Sequence, residues 1–138
     1  MTDANDPNRK IIEEFRANDG VVGGMFEGMP LLLLHHVGAK SGTERVNPLA
    51  YQRLTADSVA VFASKGGYRT NPDWFHNLVA NPAVTVEVGT DRHPAKARVA
   101  TGEERERIWS AQKKAFPQFA DYEAKVTREI PVVVLDKT

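Results

Sequence analysis

The sequence predicts a small antiparallel β-barrel with flanking helices. Three observations point to it. About six apolar or alternating segments follow one another, mostly through short turns, which favours antiparallel pairing. The regular strand–helix alternation of a doubly wound sheet is missing. A chain of 138 residues suits one domain and leaves little room for two. Closing the sheet would also remove its exposed edges. Residues 1–5 are expected to form a flexible amino-terminal tail, and residues 6–138 a single domain.

Asp6-Pro7 reads as a helix start, a capping carboxylate followed by proline at the first helical position. Ile11, Ile12 and Phe15 supply the apolar stripe, and Asp19-Gly20 ends the helix. Residues 20–30 hold four glycines and read as an irregular loop. Leu31–Val37 is a buried strand. Residues 46–54 and 58–63 are two more, around a turn at Thr55-Ala56-Asp57. Asn71-Pro72 opens a short helix with Trp74 and Leu78 turned inward, and Asn81-Pro82 closes it. Val84, Val86 and Val88 alternate with polar residues as a half-buried strand. Thr90-Asp91-Arg92 turns the chain into the next strand, 95–100. Thr101 and Glu104 form a T-x-x-E capping box ahead of a helix that carries Ile108, Trp109, Gln112 and Ala115. Pro117 interrupts, a short helix runs through Tyr122 to Val126, and 130–135 is the final strand.

Composition removes whole classes of chemistry. The chain has no cysteine, which excludes disulfides, thiolate metal sites, iron–sulfur clusters and cysteine nucleophiles. Eighteen Lys+Arg balance 18 Asp+Glu, which argues against general nucleic-acid affinity. The apolar run 31–34 is far short of a membrane span, and the first residues lack the pattern of a signal peptide. A cytoplasmic location is expected. The first helix would cap the barrel and is weak as a membrane anchor, so membrane contact would be peripheral at most.

Several catalytic patterns fail on inspection. There is no G-x-G-x-x-G. Ala39-Lys40-Ser41 lacks the glycines of a P-loop. The serine in the Gly38–Gly42 stretch sits one place too late for G-x-S-x-G. His35 and His36 would point to opposite faces of a strand, and His76 and His93 have no partner at ligand spacing, so no metal site is expected. Two loops remain. Lys40-Ser41-Gly42-Thr43-Glu44-Arg45 and Ser64-Lys65-Gly66-Gly67 combine hydroxyls, cations and glycines. Such loops can present backbone N–H groups to an anion, with Lys and Arg supplying charge; they can equally be solvated hairpin connections. The amino terminus of the helix after Asn71-Pro72 could add its dipole. Phe116, Phe119 and Tyr122 lie three apart, as core packing or as a wall for a flat ligand.

These residues form an ordered set: Lys40-Ser41-Gly42-x-x-Arg45-Val46-Asn47-Pro48-Leu49, then Ala63-Ser64-Lys65-Gly66-Gly67, then Asn71-Pro72-x-Trp74-x-x-Asn77-Leu78, then Asn81-Pro82. With the tail from Tyr122 through Ile130-Pro131-Val132-Val133, the set resembles the deazaflavin (F420)-dependent nitroreductase and quinone reductase family of actinobacteria. The resemblance runs from about Gly23 to the last strand. It implies a split β-barrel, flavin-reductase-like, that binds coenzyme F420 and passes hydride to a quinone, nitroaromatic or similar electron-poor acceptor. It also implies roles. Lys40, Ser41, Arg45 and Lys65 would hold the phosphate and glutamyl tail. Asn47, Pro48 and Leu49 would lie along the deazaflavin. Ala63, Ser64, Gly66 and Gly67 would bring backbone close to it, and Asn71, Pro72, Trp74 and Asn77 would shape the adjacent helix start. Ser64 and Tyr122 are the candidate catalytic groups, with water a third proton source.

The sequence departs from the family pattern on the acceptor side. A tyrosine often found just after Pro-Leu is Ala50 here, with Tyr51 beside it. A helix that often carries three tyrosines has Phe116, Phe119 and Tyr122. These five residues are the expected acceptor contacts, and the loss of hydroxyls favours a quinone-like or other apolar acceptor over a nitro compound. The competing readings are an FMN-binding reductase on the same barrel, a non-catalytic flavin-binding protein, and an OB-like strand-binding barrel, which the balanced charge disfavours. The molecule is expected as a monomer or homodimer.

Overall fold

The computed structural model describes residues 8–23 and 28–138. The expected tail 1–5 and the Asp6-Pro7 helix start therefore lie outside the described residues, as does the middle of the 20–30 loop. The strands are β1 (Leu31–Val37), β2 (Glu44–Thr55), β3 (Ser58–Phe62), β4 (Ala83–Val88), β5 (Asp91–Val99) and β6 (Val132–Lys137). All neighbours pair antiparallel, and the sheet closes in the order β1-β2-β3-β6-β5-β4. The helices are α1 (Asn8–Ala17), α2 (Asp73–Ala80), α3 (Gly102–Ala115) and α4 (Gln118–Ala124).

Strand periodicity sorts the apolar residues into one interior and two outer clusters. Leu32, Leu34, Val59, Val61, Val86, Val133 and Leu135 fill the barrel. Leu31 and Leu33 point outward and pack under Ile12 and Phe15 of α1. Ala60, Phe62, Val132 and Val134 point outward under Ile108, Trp109 and Phe119 of α3 and α4. This explains why 31–34 is an unbroken leucine run rather than an alternating one: both faces of β1 are covered.

Polar ties fix the outer helices. The Arg16 guanidinium reaches Glu87 on β4 at 2.9 Å, and Glu87 also meets His35 of β1 at 2.5 Å. Gly20 (φ +97°) sits against the β4–β5 turn so closely that an added Cβ would lie 2.8 Å from the Gly89 Cα. The Trp109 indole N–H donates to Glu123 at 2.5 Å and Lys113 reaches the same carboxylate at 2.9 Å, which joins α3 to α4.

Two local expectations are corrected. The turn expected at Thr90-Asp91-Arg92 lies at Gly89-Thr90, because Gly89 takes φ +59° and Asp91 already pairs with Val88. The capping box does not form: Thr101 makes no side-chain cap bond, and the Glu104 carboxylate instead accepts two bonds from Arg98, at 2.7 and 3.1 Å. A bidentate guanidinium is the stronger partner.

Candidate active site

The closed barrel leaves one strand edge half unpaired. β2 pairs with β1 over residues 44–50, but with β3 only over 51–55. Its first half therefore has a free edge. Pro48 sits on that edge, where its missing N–H costs no ladder bond. The Tyr51 N–H donates to the Pro30 carbonyl, so the odd positions of β2 bond toward β1. Antiparallel alternation then turns the backbone groups of Val46, Pro48 and Ala50 toward the open side.

An open cleft of about 1350 Å³ follows this edge. Its lining carries three cations, Lys40 and Arg45 at the β1–β2 end and Lys65 in the turn after β3, and none has a carboxylate partner among the described residues. Lys65 Nζ instead lies 4.7 Å from the centroid of the Tyr68 ring. The Ser41 hydroxyl accepts from the Thr43 N–H at 3.2 Å, which leaves its own proton to donate outward. Ser64 is in the right-handed region and Lys65 has φ +48°. A right-handed residue followed by a positive-φ one is the backbone of an anion-binding nest. The 64–67 turn bonds through the Gly67 and Tyr68 N–H groups, and those of Ser64 and Lys65 have no acceptor among the described residues. The expected help from α2 is reduced, because Asp73 in its first turn already occupies the positive end.

The rest of the lining includes an apolar and aromatic group, Met29, Ala50, Phe62, Phe119 and Tyr122, which belongs to one outer cluster. Phe119 packs edge-on against Phe62, Trp109 and Tyr122, with centroids 5.3–6.2 Å apart, so most of it is core and one part faces the cleft. The Ser64 side chain makes no cap bond within its turn, and Ser64 is buried at the cleft wall.

The lining also includes a buried polar chain. His36 continues the inward parity of Leu32 and Leu34, which puts it at the barrel mouth. Asn77 Nδ2 donates to His36 Nδ1 at 3.1 Å, His36 Nε2 meets Asn47 Oδ1 at 2.6 Å, and the Ala39 N–H donates to Asn77 Oδ1 at 2.9 Å. This network assigns a neutral ring with its proton on Nε2. Burial pushes the His36 ring below the ordinary histidine range; the Asn47 bond opposes this, and the charges of Arg45 and His35 add to it. With Asn47 Oδ1 so engaged, its Nδ2 is left to the cleft.

The cleft gathers Lys40, Ser41, Arg45, Asn47, Pro48, Leu49, Ser64, Lys65, Pro72, Trp74 and Asn77, with Ala50, Phe119 and Tyr122. Other expected contacts lie elsewhere. Tyr51 has the opposite parity to Ala50 and packs on the barrel interior. Phe116 ends α3 and packs on the outer cluster. Ala63 is wholly buried, and the Asn71 side chain is held by Arg128. Gly67 serves packing: at φ +84° an added Cβ would lie 3.1 Å from the Tyr122 Cα. His36, Gly38, Gln118 and Met29 also line the cleft and were not among the expected contacts. The parity of His36 with Leu32 and Leu34 is the signal that could have found it.

A barrel with one unpaired strand edge, and along it a cleft lined by cations and aromatic side chains, has the features of a flavin-type cofactor-binding barrel. Comparison narrows the class. The family model described as F420H(2)-dependent quinone reductase matches residues 7–137. A putative F420H(2)-dependent quinone reductase of Mycobacterium tuberculosis is 38% identical over 112 residues, covering 81% of this chain and 93% of that protein. A second F420H(2)-dependent quinone reductase of the same species is 35% identical over 127 residues, covering 89% and 85%. A solved structure described as an F420-H2 dependent reductase (FDR-A) superposes with a TM-score of 0.71 at 40% identity, covering 78% of this chain and 94% of that one. The chain belongs to the F420H(2)-dependent quinone reductase family. It is an oxidoreductase with coenzyme F420 as its cofactor, and FMN is not favoured.

Proposed function

We propose that the cationic part of the cleft lining receives the phosphate and glutamyl tail of F420, and that the apolar part receives a quinone. The carrying observation is that three cations without carboxylate partners and two amides without acceptors, among the described residues, belong to one cleft and its rim. That set suits a small, highly anionic ligand. Lys40, Arg45 and Lys65 supply charge, and Ser41 and the Ser64 and Lys65 amides supply directed donors. The β2 edge from Asn47 to Ala50 offers backbone groups and the Asn47 amide to the ring portion of the cofactor.

When bound, reduced F420 supplies the hydride. The chain's task is to orient, shield and supply a proton. Ser64 and Tyr122 are the hydroxyls proposed for that proton, since both line the cleft. Tyr51 is turned into the barrel and Phe116 into the core, so Tyr122 stands among Phe62, Phe119, Met29 and Ala50 as the hydroxyl of the acceptor wall. A wall this poor in donors suits an apolar quinone better than a nitro group, whose developing charge needs hydrogen bonds. A steady-state comparison tests this choice. Menadione is expected to show the higher kcat/KM with reduced F420, and a higher value for a nitroimidazole would refute it.

A further inference from the structure

Arg128, in the connection between α4 and β6, lies outside the cleft lining and bonds only uncharged acceptors. Its Nη1 donates to the Ala63 carbonyl at 3.1 Å and to Asn71 Oδ1 at 2.6 Å. Its Nη2 donates to the Ser64 carbonyl at 3.0 Å and the Tyr68 carbonyl at 2.9 Å, and its Nε to Tyr68 again at 3.1 Å. In a trans peptide the C=O and N–H point in opposite directions. Drawing the Ala63 and Ser64 carbonyls toward Arg128 therefore turns the Ser64 and Lys65 N–H groups away from it. Ser64 and Lys65 are also the residues of this segment that line the cleft. The same grip brackets Lys65, whose φ of +48° is one that non-glycine residues rarely adopt. Such a conformation persists where its surroundings over-determine it. Here Arg128 holds the carbonyl before Lys65 and the segment that follows it. A guanidinium on the carbonyl side also polarises these peptides and strengthens their N–H groups as donors.

We infer that Arg128 is a positioning residue that shapes the Ser64 and Lys65 amide pair for the anionic cofactor without touching it. The inference rests on the F420 site proposed above. It is separable from a general folding role because the affected amides and the affinity for F420 must move together.

The test compares wild type, Arg128→Lys and Arg128→Met by backbone amide NMR of the ligand-free protein and by titration with oxidised F420. The expected result is shifted resonances at Ser64 and Lys65, with Val61 and Val134 in the barrel unmoved. F420 Kd is expected to rise about tenfold or more, and kcat at saturating F420 to change much less. Arg128→Lys keeps the charge but cannot span the acceptors of a planar fork. It is expected to weaken binding in a folded protein, and it provides the test if the Met variant does not fold. Unmoved Ser64 and Lys65 amides, or a Kd within twofold of wild type in a folded variant, would overturn the inference while leaving the cofactor site standing. Failure of the wild type to bind F420 would overturn the site and this role with it.

Discussion

At the scale of single residues, the cleft separates binding from turnover. Lys40 and Arg45 have no carboxylate partner among the described residues, so their charge is available to the ligand. A charge-assisted contact contributes about 1.5–3 kcal/mol. Lys40→Ala and Arg45→Ala are each expected to raise the F420 Kd by about 10- to 100-fold, with unchanged thermal stability; titration and thermal unfolding of the same samples check both halves. Ser64→Ala is expected to do the reverse, lowering kcat more than it weakens binding, because its side chain stands at the cleft without a cap bond in its own turn. Equal effects of Ser64→Ala on binding and turnover would remove it from the reacting end. His36 makes a third prediction. Its folded form is held neutral by burial while the unfolded ring titrates near 6.5. The unfolded state then binds the extra proton, so this part of the stability is complete above about pH 6.5 and is lost as pH falls. Denaturant unfolding at a series of pH values between 7.5 and 5.5 is expected to show that slope in wild type and a flatter one in His36→Gln.

At the scale of elements, much of the architecture was legible and its local chemistry less so. β1 was read with its observed ends because a leucine run followed by glycine has few alternatives. The β4–β5 turn was misplaced by weighting Asp91, when Gly89 alone supplies the positive φ the hairpin needs. The family pattern and the three-residue spacing put Tyr51 and Phe116 with the acceptor contacts; strand parity and the end of α3 send both elsewhere. Arg128 was invisible because its acceptors are backbone carbonyls some sixty residues away, which leave no mark on the local pattern. The 64–67 turn and α4 form one unit, since Gly67 packs against the Tyr122 backbone. Gly67→Ala combines a positive φ with a Cβ at 3.1 Å from Tyr122, so it is expected to cost about 1–3 kcal/mol and to weaken F420 binding together. Stability loss with unchanged binding would show that the turn and the cleft are independent.

At the scale of the whole molecule, a balanced total hides an uneven distribution. The 18 cations and 18 anions cancel overall, while Lys40, Arg45 and Lys65 line the cleft without carboxylate partners among the described residues and Arg98, Arg16 and Lys113 are consumed in ion pairs. Affinity for an anionic cofactor is therefore expected to fall with ionic strength, while stability, which rests on the filled barrel and two covered outer faces, changes little. The absence of cysteine fits the same division of labour: the electrons belong to the cofactor, and the chain contributes charge, shape and protons. The most direct measurement is a titration of the wild-type protein with oxidised F420 and, separately, with FMN, each repeated for Lys40→Ala and Arg45→Ala. A polyanionic tail seated on these cations predicts tight, salt-sensitive binding of F420, weaker binding of FMN, and a loss in both variants that is larger for F420. Equal affinity for the two cofactors, or variants that bind F420 as wild type does, would contradict it.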